Sequence, residues 1–356
     1  MHWVKPHLVA EEAIGERTPA GQIRHASFVA LRSDKPARAI GRERAAQPAE
    51  IEAAAPVQRP AKASAPGGPK LTHPDRVIDR STGLRKRDLA RYYDSVAEFL
   101  LPHLKGRPVA LVRVPGGVES PLFFQKHGAS IPGVRELDAQ LWPGHEPLLE
   151  VPNAQALRGA AQMNVIEFHT WNAPVSHLHK PDRMVFDLDP GEGVAWPAVR
   201  EAAELTRTLL QELGLQSWLK TSGGKGLHLV VPIAPRWSYE VVKGFAQAAV
   251  EHLARTIPSR FVAKTGAANR VGKVFVDYLR NGQGATTAAA FSARARPGLG
   301  VSMPVAWDDL GSLKGGAQWN IATAREHLSF ESADPWAGFF GTKQTLTAAL
   351  SVLKPG

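Results

Sequence analysis

The sequence predicts a mixed α/β (α+β) fold, and three patterns carry that prediction. Segments with apolar residues at helical spacing recur along the chain. Short apolar runs of strand length are interleaved with them, so neither kind of element is confined to one half. Turns bearing glycine or proline separate the two, and no internal repeat is visible.

Composition sets the bounds. Apolar residues make up 44% of the 356 positions, enough for a real core, and the length admits one large domain or two smaller ones. No run of about 18 apolar residues occurs, so no segment reads as a membrane span. The opening residues Met1-His2-Trp3-Val4-Lys5 lack the basic-then-apolar pattern of a secretory signal. Cysteine is absent, which excludes disulfides, thiolate zinc sites and iron–sulfur clusters and fits a reducing cytoplasm. The formal net charge is +10 and the isoelectric point is about 9.9. That balance suits a polyanionic partner, but it is shared by DNA-binding, RNA-binding and ribosomal proteins alike.

In chain order, residues 1–40 read as short strands and turns. Leu8-Val9-Ala10 and Ile23 to Phe28 are strand-like, with the turn Thr18-Pro19-Ala20-Gly21 between them. Alone they are too few to bury a core. Residues 41–69, rich in Ala and Pro and nearly free of large apolar side chains, read as a linker that cannot offset its ordering entropy. Order resumes at Leu71. Leu89, Tyr92, Tyr93, Val96, Phe99 and Leu100 predict a helix over 86–104, and Pro108 to Val114 reads as a strand. Met184 to Asp189 is a strand closed by Pro190-Gly191, and Trp196 to Leu213 is an amphipathic helix stopped by Gly214. Strands follow at 217–220 and 227–231, a helix at 239–254, and a last strand at 273–279.

Charges inside these apolar strands are the first chemical signal. Asp187 and Asp189 sit two apart, so both carboxylates project from one face. Like charges held side by side on an apolar sheet are relieved by a hard cation, Mg²⁺ or Mn²⁺; a solvent-facing pair at a strand end is the alternative. Asp277 lies in the middle of Val274-Phe-Val-Asp-Tyr-Leu279, and buried charge needs a partner or a metal. Three strand carboxylates can hold two metals for an in-line displacement at phosphorus, or Asp277 can form a structural salt bridge to Arg270 or Arg280.

Thr221-Ser-Gly-Gly-Lys-Gly-Leu-His228 joins two strands. Its glycines let backbone amides approach an anion, Lys225 adds a point charge and Ser222 a hydroxyl. It is not a Walker A loop, because Gly226 follows the lysine and a strand follows the loop. The pattern also fits an ordinary hairpin turn. His228 and His169 are each either core histidines or ligands. Arg270, Arg280, Arg294 and Arg296 offer forks that match phosphate oxygens, or simply form a solvated basic face. Phe123 and Phe124 precede Gln125-Lys126-His127. Both rings pack by default, but adjacent strand residues point to opposite faces, and an exposed ring beside basic residues is a platform for a base.

These segments, in this order, strongly resemble one family. Val-Phe-Asp187-Leu-Asp189-Pro-Gly-Glu-Gly, then Lys-Thr-Ser222-Gly-Gly-Lys225-Gly-Leu-His228-Leu-Val-Val-Pro, then Val-Phe-Val-Asp277-Tyr-Leu-Arg280-Asn are similar to the polymerase domain of bacterial DNA ligase D, in the archaeo-eukaryotic primase superfamily. The resemblance covers residues 71–310 and implies a primase-type fold: an RRM-like catalytic sheet, a second sheet and flanking helices. It implies a template-dependent nucleotidyltransferase that extends primers at gaps and overhangs in non-homologous end joining, often preferring ribonucleotides. Asp187, Asp189 and Asp277 would hold two divalent metals, Mn²⁺ favoured. Ser222, Gly223, Lys225 and His228 would bind the incoming NTP or dNTP, His169 its sugar, and Arg270, Arg280 and Arg294 phosphates or template. His73, Arg76 and Lys86 fall where the family binds the recessed 5′-phosphate of DNA, and Phe123 and Phe124 where it stacks on the template. The implied partners are DNA with gaps or overhangs, the Ku protein, and ligase and nuclease domains of a parent chain, in the bacterial cytoplasm at the nucleoid.

The N-terminus carries a second resemblance. His2-Trp-Val-Lys-Pro-His-Leu-Val-Ala, Arg24-His-Ala-Ser-Phe28 and Leu31-Arg-Ser-Asp-Lys35 look like the end of a ligase OB-fold, yet no Lys-x-Asp-Gly adenylation motif occurs. Residues 1–40 therefore read as a remnant of a preceding ligase domain without ligase activity, with 70–356 as the polymerase domain. Three other readings compete. A stand-alone primase usually carries a zinc module, which zero cysteines disfavour. A sugar-nucleotide transferase leaves Asp277 and the His73–Arg76–Lys86 cluster unexplained. A non-catalytic module that binds and bridges DNA ends is the main alternative.

Overall fold

The computed structural model describes strand backbone at 9–13, 16–17, 23–24 and 27–32, and residues 70–353 apart from 129, 332 and 333. The linker reading of 41–69 and the turn reading of 18–21 lie outside the described residues. The chain divides into two units, 1–65 and 66–356. In the first, β1 (Val9–Ala13) pairs antiparallel with β4 (Ser27–Arg32), and β2 (Glu16–Arg17) with β3 (Ile23–Arg24). Strand backbone overlaps both segments read as strand-like, but the segment read as 23–28 contains parts of two strands, β3 and β4, with different partners.

In the second unit, the hairpin β5 (Val77–Asp79) and β6 (Leu84–Arg85) leads into α1 (Lys86–Leu104). This helix starts where Asp88 turns back to accept the Arg85 N–H at 2.9 Å, satisfying a donor that the helix leaves open. Then come β7 (Val109–Arg113), β8 (Phe123–Gln125), β9 (Arg135–Glu136), β10 (Leu149–Glu150), α2 (Ala154–Gln162) and β11 (Val165–Thr170). The remainder is β12 (Arg183–Pro190), α3 (Trp196–Glu212), β13 (Trp218–Thr221), β14 (Leu227–Pro232), α4 (Tyr239–Thr256), β15 (Phe261–Val262) and β16 (Val274–Asp277). Short pieces close the chain: β17 (Thr287–Ala288), β18 (Pro304–Val305), α5 (Ala324–Phe330) and α6 (Thr347–Val352).

Two sheets organise the unit, as the primase-type expectation required. One has six strands in the order β15-β16-β12-β14-β13-β18, the other four in the order β17-β11-β7-β8. Period-two alternation divides the six-stranded sheet sharply. Met184, Phe186 and Leu188 of β12, Leu227, Leu229 and Val231 of β14, and Val274 and Val276 of β16 form one core with Ala202 and Leu210 of α3 and Phe245 and Ala249 of α4. The alternate positions, Val185 and Val230, join a second core containing Leu111, Phe168 and the inner faces of α1 and α2. The opposite face of the six-stranded sheet is therefore turned toward the four-stranded one, and Asp187, Asp189, Asp277 and His228 share it.

One sequence boundary needs correcting. The strand predicted to 279 stops at Asp277, and a 3₁₀ turn runs Leu279–Asn281. Asp277 Oδ1 accepts the Leu279 N–H at 2.8 Å, an Asx-type bond that turns the backbone out of the ladder. The buried Asn281 amide takes over there, accepting from Val185 N at 2.8 Å and donating to Val185 O at 2.7 Å.

Candidate active site

The strand register builds the site. Asp187 on β12 lies opposite Asp277 on β16 and, on its other side, opposite His228 on β14. His228 lies opposite Lys220 on β13. Four ionisable residues thus form one row across four strands, Asp277–Asp187–His228–Lys220, with Asp189 two residues along β12 on the same face. His228 Nε2 stands 3.2 Å from Asp187 Oδ1. Its Nδ1 faces the Lys220 amine at 2.7 Å, and that amine also donates to Ser302 Oγ at 2.6 Å. Asp187 is held ionised, its carboxyl well below the usual carboxylate range, and so only accepts; the ring proton therefore sits on Nε2, pointing at Asp187, and Nδ1 accepts from the Lys220 amine, which burial lowers well below its ordinary value. Burial pushes His228 down to about 4 against the pull of Asp187. At neutral pH it therefore holds Asp187 as a hydrogen-bond donor rather than as a charge.

Each carboxylate is answered by a cation or a donor from the protein. Arg280 Nε lies 3.1 Å from Asp277 and 3.6 Å from Asp187, and the Arg270 guanidinium grips Asp189 while lying over the Phe275 ring. The sequence left open a structural salt bridge from Asp277 to Arg270 or Arg280; the partner is Arg280. Among the described residues no three acidic or histidine side chains already converge as a metal cluster. The donor chemistry nonetheless fits a hard cation. Burial raises the Asp277 carboxyl, Arg280 opposes this, and the neighbouring charges of Asp187 and Asp189 raise it further. That is the mutual repulsion which a divalent ion relieves.

The glycine loop sits at the edge of this row. Gly223 has φ +68°, and a Cβ there would stand 2.6 Å from Arg294 Cγ. A Cβ at Gly226 would meet the Leu188 carbonyl oxygen at 1.9 Å, so the loop can lie against β12 only with glycine at that position. The amides of Gly224 and Gly226, read from sequence as free to cradle an anion, are turned inward onto Ser222 Oγ at 3.1 and 3.0 Å. What the loop presents outward is the exposed Lys225, while Ser222 is buried beneath it. Lys225 lines a cleft of about 910 Å³ with Pro190–Val194 and Lys314–Gln318, which adjoins the carboxylates rather than containing them.

The four-stranded sheet supplies the opposing wall. Glu167 and His169 alternate on β11, and His169 Nε2 lies 2.5 Å from Glu167 Oε2. Arg294 Nε donates to the same oxygen at 2.9 Å, and Arg294 also donates to the Ser222 carbonyl at 2.7 Å, tying this wall to the loop. Arg294, read as a phosphate contact, is thus already committed to Glu167 and the loop backbone. Glu167 and Lys220 were not singled out in the sequence. Their signal was available: each is a charge within an otherwise apolar strand. Of the two readings of Phe123 and Phe124, packed rings or an exposed platform, packing does not hold. They are 53% and 45% exposed, because β8 is the open edge of its sheet. Phe124 meets the His169 ring edge-on at 5.6 Å and carries Lys126 over its face, while Phe123 lies under Arg113.

His73, Arg76 and Lys86 meet in a separate basic corner at the start of α1. Lys86 N donates to Arg76 O at 2.9 Å, and Lys86 Nζ to Thr72 O at 3.0 Å, beside His73. Burial, with the nearby Arg76 charge, lowers the Lys86 ammonium from its ordinary value. His73 has φ 50°, a left-handed conformation costly for a side-chain-bearing residue. Among the described residues no carboxylate bonds to any of the three side chains, whereas Arg85 and Arg87 flank them and share Asp75.

Comparison with known proteins agrees with this architecture. A family model described as LigD, primase-polymerase domain matches residues 85–336. The multifunctional non-homologous end joining protein LigD of Pseudomonas aeruginosa is 49% identical over 98% of this chain and 42% of its own length. The protein of the same name from Mycolicibacterium smegmatis is 35% identical over 68% of this chain and 32% of its own. The chain therefore spans less than half the length of these curated relatives. The solved polymerase domain from Mycobacterium tuberculosis Ligase D in complex with DNA matches with a TM-score of 0.66 at 30% identity, covering 73% of this chain and 94% of that one.

Proposed function

This chain belongs to the LigD primase-polymerase family, and we propose that it is a templated nucleotidyltransferase acting at gaps and overhangs of broken DNA. The observation that carries the reading is the juxtaposition of Asp187, Asp277 and Asp189 on one sheet face with the Ser222–Lys225 loop and His169 of the opposing sheet. Two divalent ions, Mn²⁺ favoured, would be held by these carboxylates and would supply activation of the primer hydroxyl and neutralisation of the leaving phosphates. Arg270 and Arg280 pair with these carboxylates and would compete with the cations for them. Where cations took the carboxylates, both guanidiniums would be available to phosphate oxygens. His228 orients Asp187 through its Nε2–H. Lys225 and the Ser222 hydroxyl receive the triphosphate of the incoming NTP or dNTP, with ribonucleotides preferred.

The basic corner of His73, Arg76 and Lys86 takes the recessed 5′-phosphate of the DNA, and the open rings of Phe123 and Phe124 stack on template bases. Net charge of +10 favours such binding and makes it salt-sensitive. Association with Ku and with ligase and nuclease domains belongs to the same reading. No helix among the described residues is long and apolar enough to cross a membrane.

One observation favours a second reading. Every site carboxylate is ion-paired or hydrogen-bonded within the protein, as in a purely structural network, and the chain would then bind and bridge ends without chemistry. Primer extension on a gapped duplex bearing a 5′-phosphate, with Mn²⁺ and ribo- or deoxynucleotides, separates the two. Addition that disappears in Asp187→Ala supports the polymerase; DNA binding without addition supports the bridge.

A further inference from the structure

We propose that Glu167 is a positioning residue that turns the outer nitrogen of His169 into a hydrogen-bond acceptor, so that the site selects incoming nucleotides by a sugar hydroxyl. The inference rests on the nucleotidyltransferase reading and deepens it.

Every contact of the Glu167 carboxylate is a donor's. Oε1 accepts the Ala295 N–H at 2.7 Å, and Oε2 accepts Arg294 Nε at 2.9 Å and faces His169 Nε2 at 2.5 Å. Burial by itself would raise this carboxyl, but the His169 hydrogen bond, Arg294 and the Ala295 amide hold it at about 2, so it is ionised and cannot donate. The ring nitrogen facing it must carry the proton. Burial also keeps the imidazole uncharged at neutral pH, despite the opposing pull of Glu167. The other nitrogen, Nδ1, is left with a lone pair, and no described protein group donates to it.

Position identifies what donates. Contacts run in one order through this wall: the open ring of Phe124 against His169, His169 against Glu167, Glu167 against Arg294, and Arg294 against the Ser222 carbonyl of the glycine loop. With its phosphates at the loop, an incoming nucleotide brings its sugar to the histidine, beside the template base on the Phe124 ring. The donors on a nucleotide's sugar are its hydroxyls. A site with a committed acceptor discriminates against the analogue lacking that donor, because the acceptor is then left unpaired.

The test uses single-nucleotide addition at a gapped duplex, comparing ribonucleoside, 2′-deoxy and 3′-deoxy triphosphates, which distinguishes the two hydroxyls. The wild type should lose about tenfold or more in kcat/KM when one of them is removed. Glu167→Gln, whose amide can donate to Nε2 and send the proton to Nδ1, should bring that preference to within about twofold of parity, mostly by slowing the hydroxyl-bearing substrate. Nitrogen-15 NMR of the histidines, with His169 assigned by its loss in His169→Gln, should show the Nε2–H form in the wild type. Indifference of the wild type to both hydroxyls, full preference retained in Glu167→Gln, or an Nδ1–H ring in the wild type would each overturn the proposal. Absence of any addition would instead overturn the polymerase reading, and the NMR form would still decide what Glu167 does to His169.

Discussion

The two charged regions of this molecule are built on opposite rules. In the site between the sheets, charges answer one another: Asp189 with Arg270, Asp277 with Arg280, Asp187 with His228, Glu167 with Arg294. In the corner at the start of α1, Arg76 and Lys86 stand close with, among the described residues, no carboxylate between them, and Lys86 donates to a backbone carbonyl. A closed network is pre-organised and must exchange partners to work, whereas an open cluster of like charge is completed by the anion it binds. On the proposed function, the first is a place for chemistry and the second a place for docking.

The largest effect expected from breaking the closed region is Asp277→Ala. It removes the cross-strand partner of Asp187 and should lower templated addition on the order of 10³-fold in single-turnover assays, with DNA affinity held within about twofold. The next lies in stability. The Glu167 carboxyl is held at about 2 in the fold against 4.5 for the free group. A depressed acid contributes stability above its unfolded value, and that contribution is lost as pH falls from about 4.5 to about 2. Urea unfolding of the wild type should lose about 3 kcal/mol more over that window than Glu167→Gln, whose curve should be flatter.

The open region should respond differently. Replacing Arg76 and Lys86 together by alanine should cut by about 10- to 100-fold the advantage of a 5′-phosphorylated gap over a 5′-hydroxyl gap, without altering addition to an unphosphorylated one. An equal loss on both gaps would show that the corner does not read the phosphate. The smallest effect concerns the closed network's own counterion. Arg270→Ala frees Asp189, so direct Mn²⁺ titration by electron paramagnetic resonance should show several-fold tighter binding whatever happens to turnover, the scale of losing a half-exposed ion pair. Unchanged or weaker binding would mean that the arginine does not compete with the cation.

Much of this contrast was legible in the amino-acid order. Asp187, Asp189 and Asp277 stood out because charge interrupts apolar strands, and period-two alternation put Asp187 and Asp189 on one face, while Asp277 joins them through strand register. The helix at 86–104 follows from its apolar spacing to the residue. What answers those charges was not legible. Lys220 reaches His228, and Glu167 reaches Arg294, through strand register and through the approach of two sheets, both set by tertiary packing rather than by local pattern. The same limit explains Phe123 and Phe124: whether both rings pack depends on β8 being an edge, and β8 pairs only with β7. The premature end of β16 turns on a side-chain bond from Asp277 to its own backbone, which competes with the ladder and leaves no apolar signature.

The central claim is that the closed carboxylate row performs templated addition. Its most direct test is single-nucleotide addition by the wild-type protein at a 5′-phosphorylated gap with Mn²⁺, repeated with each of the four bases at the template position. The account expects the complementary nucleotide to be added each time. Addition that ignores the template base, or tight DNA binding with no addition at all, would contradict it.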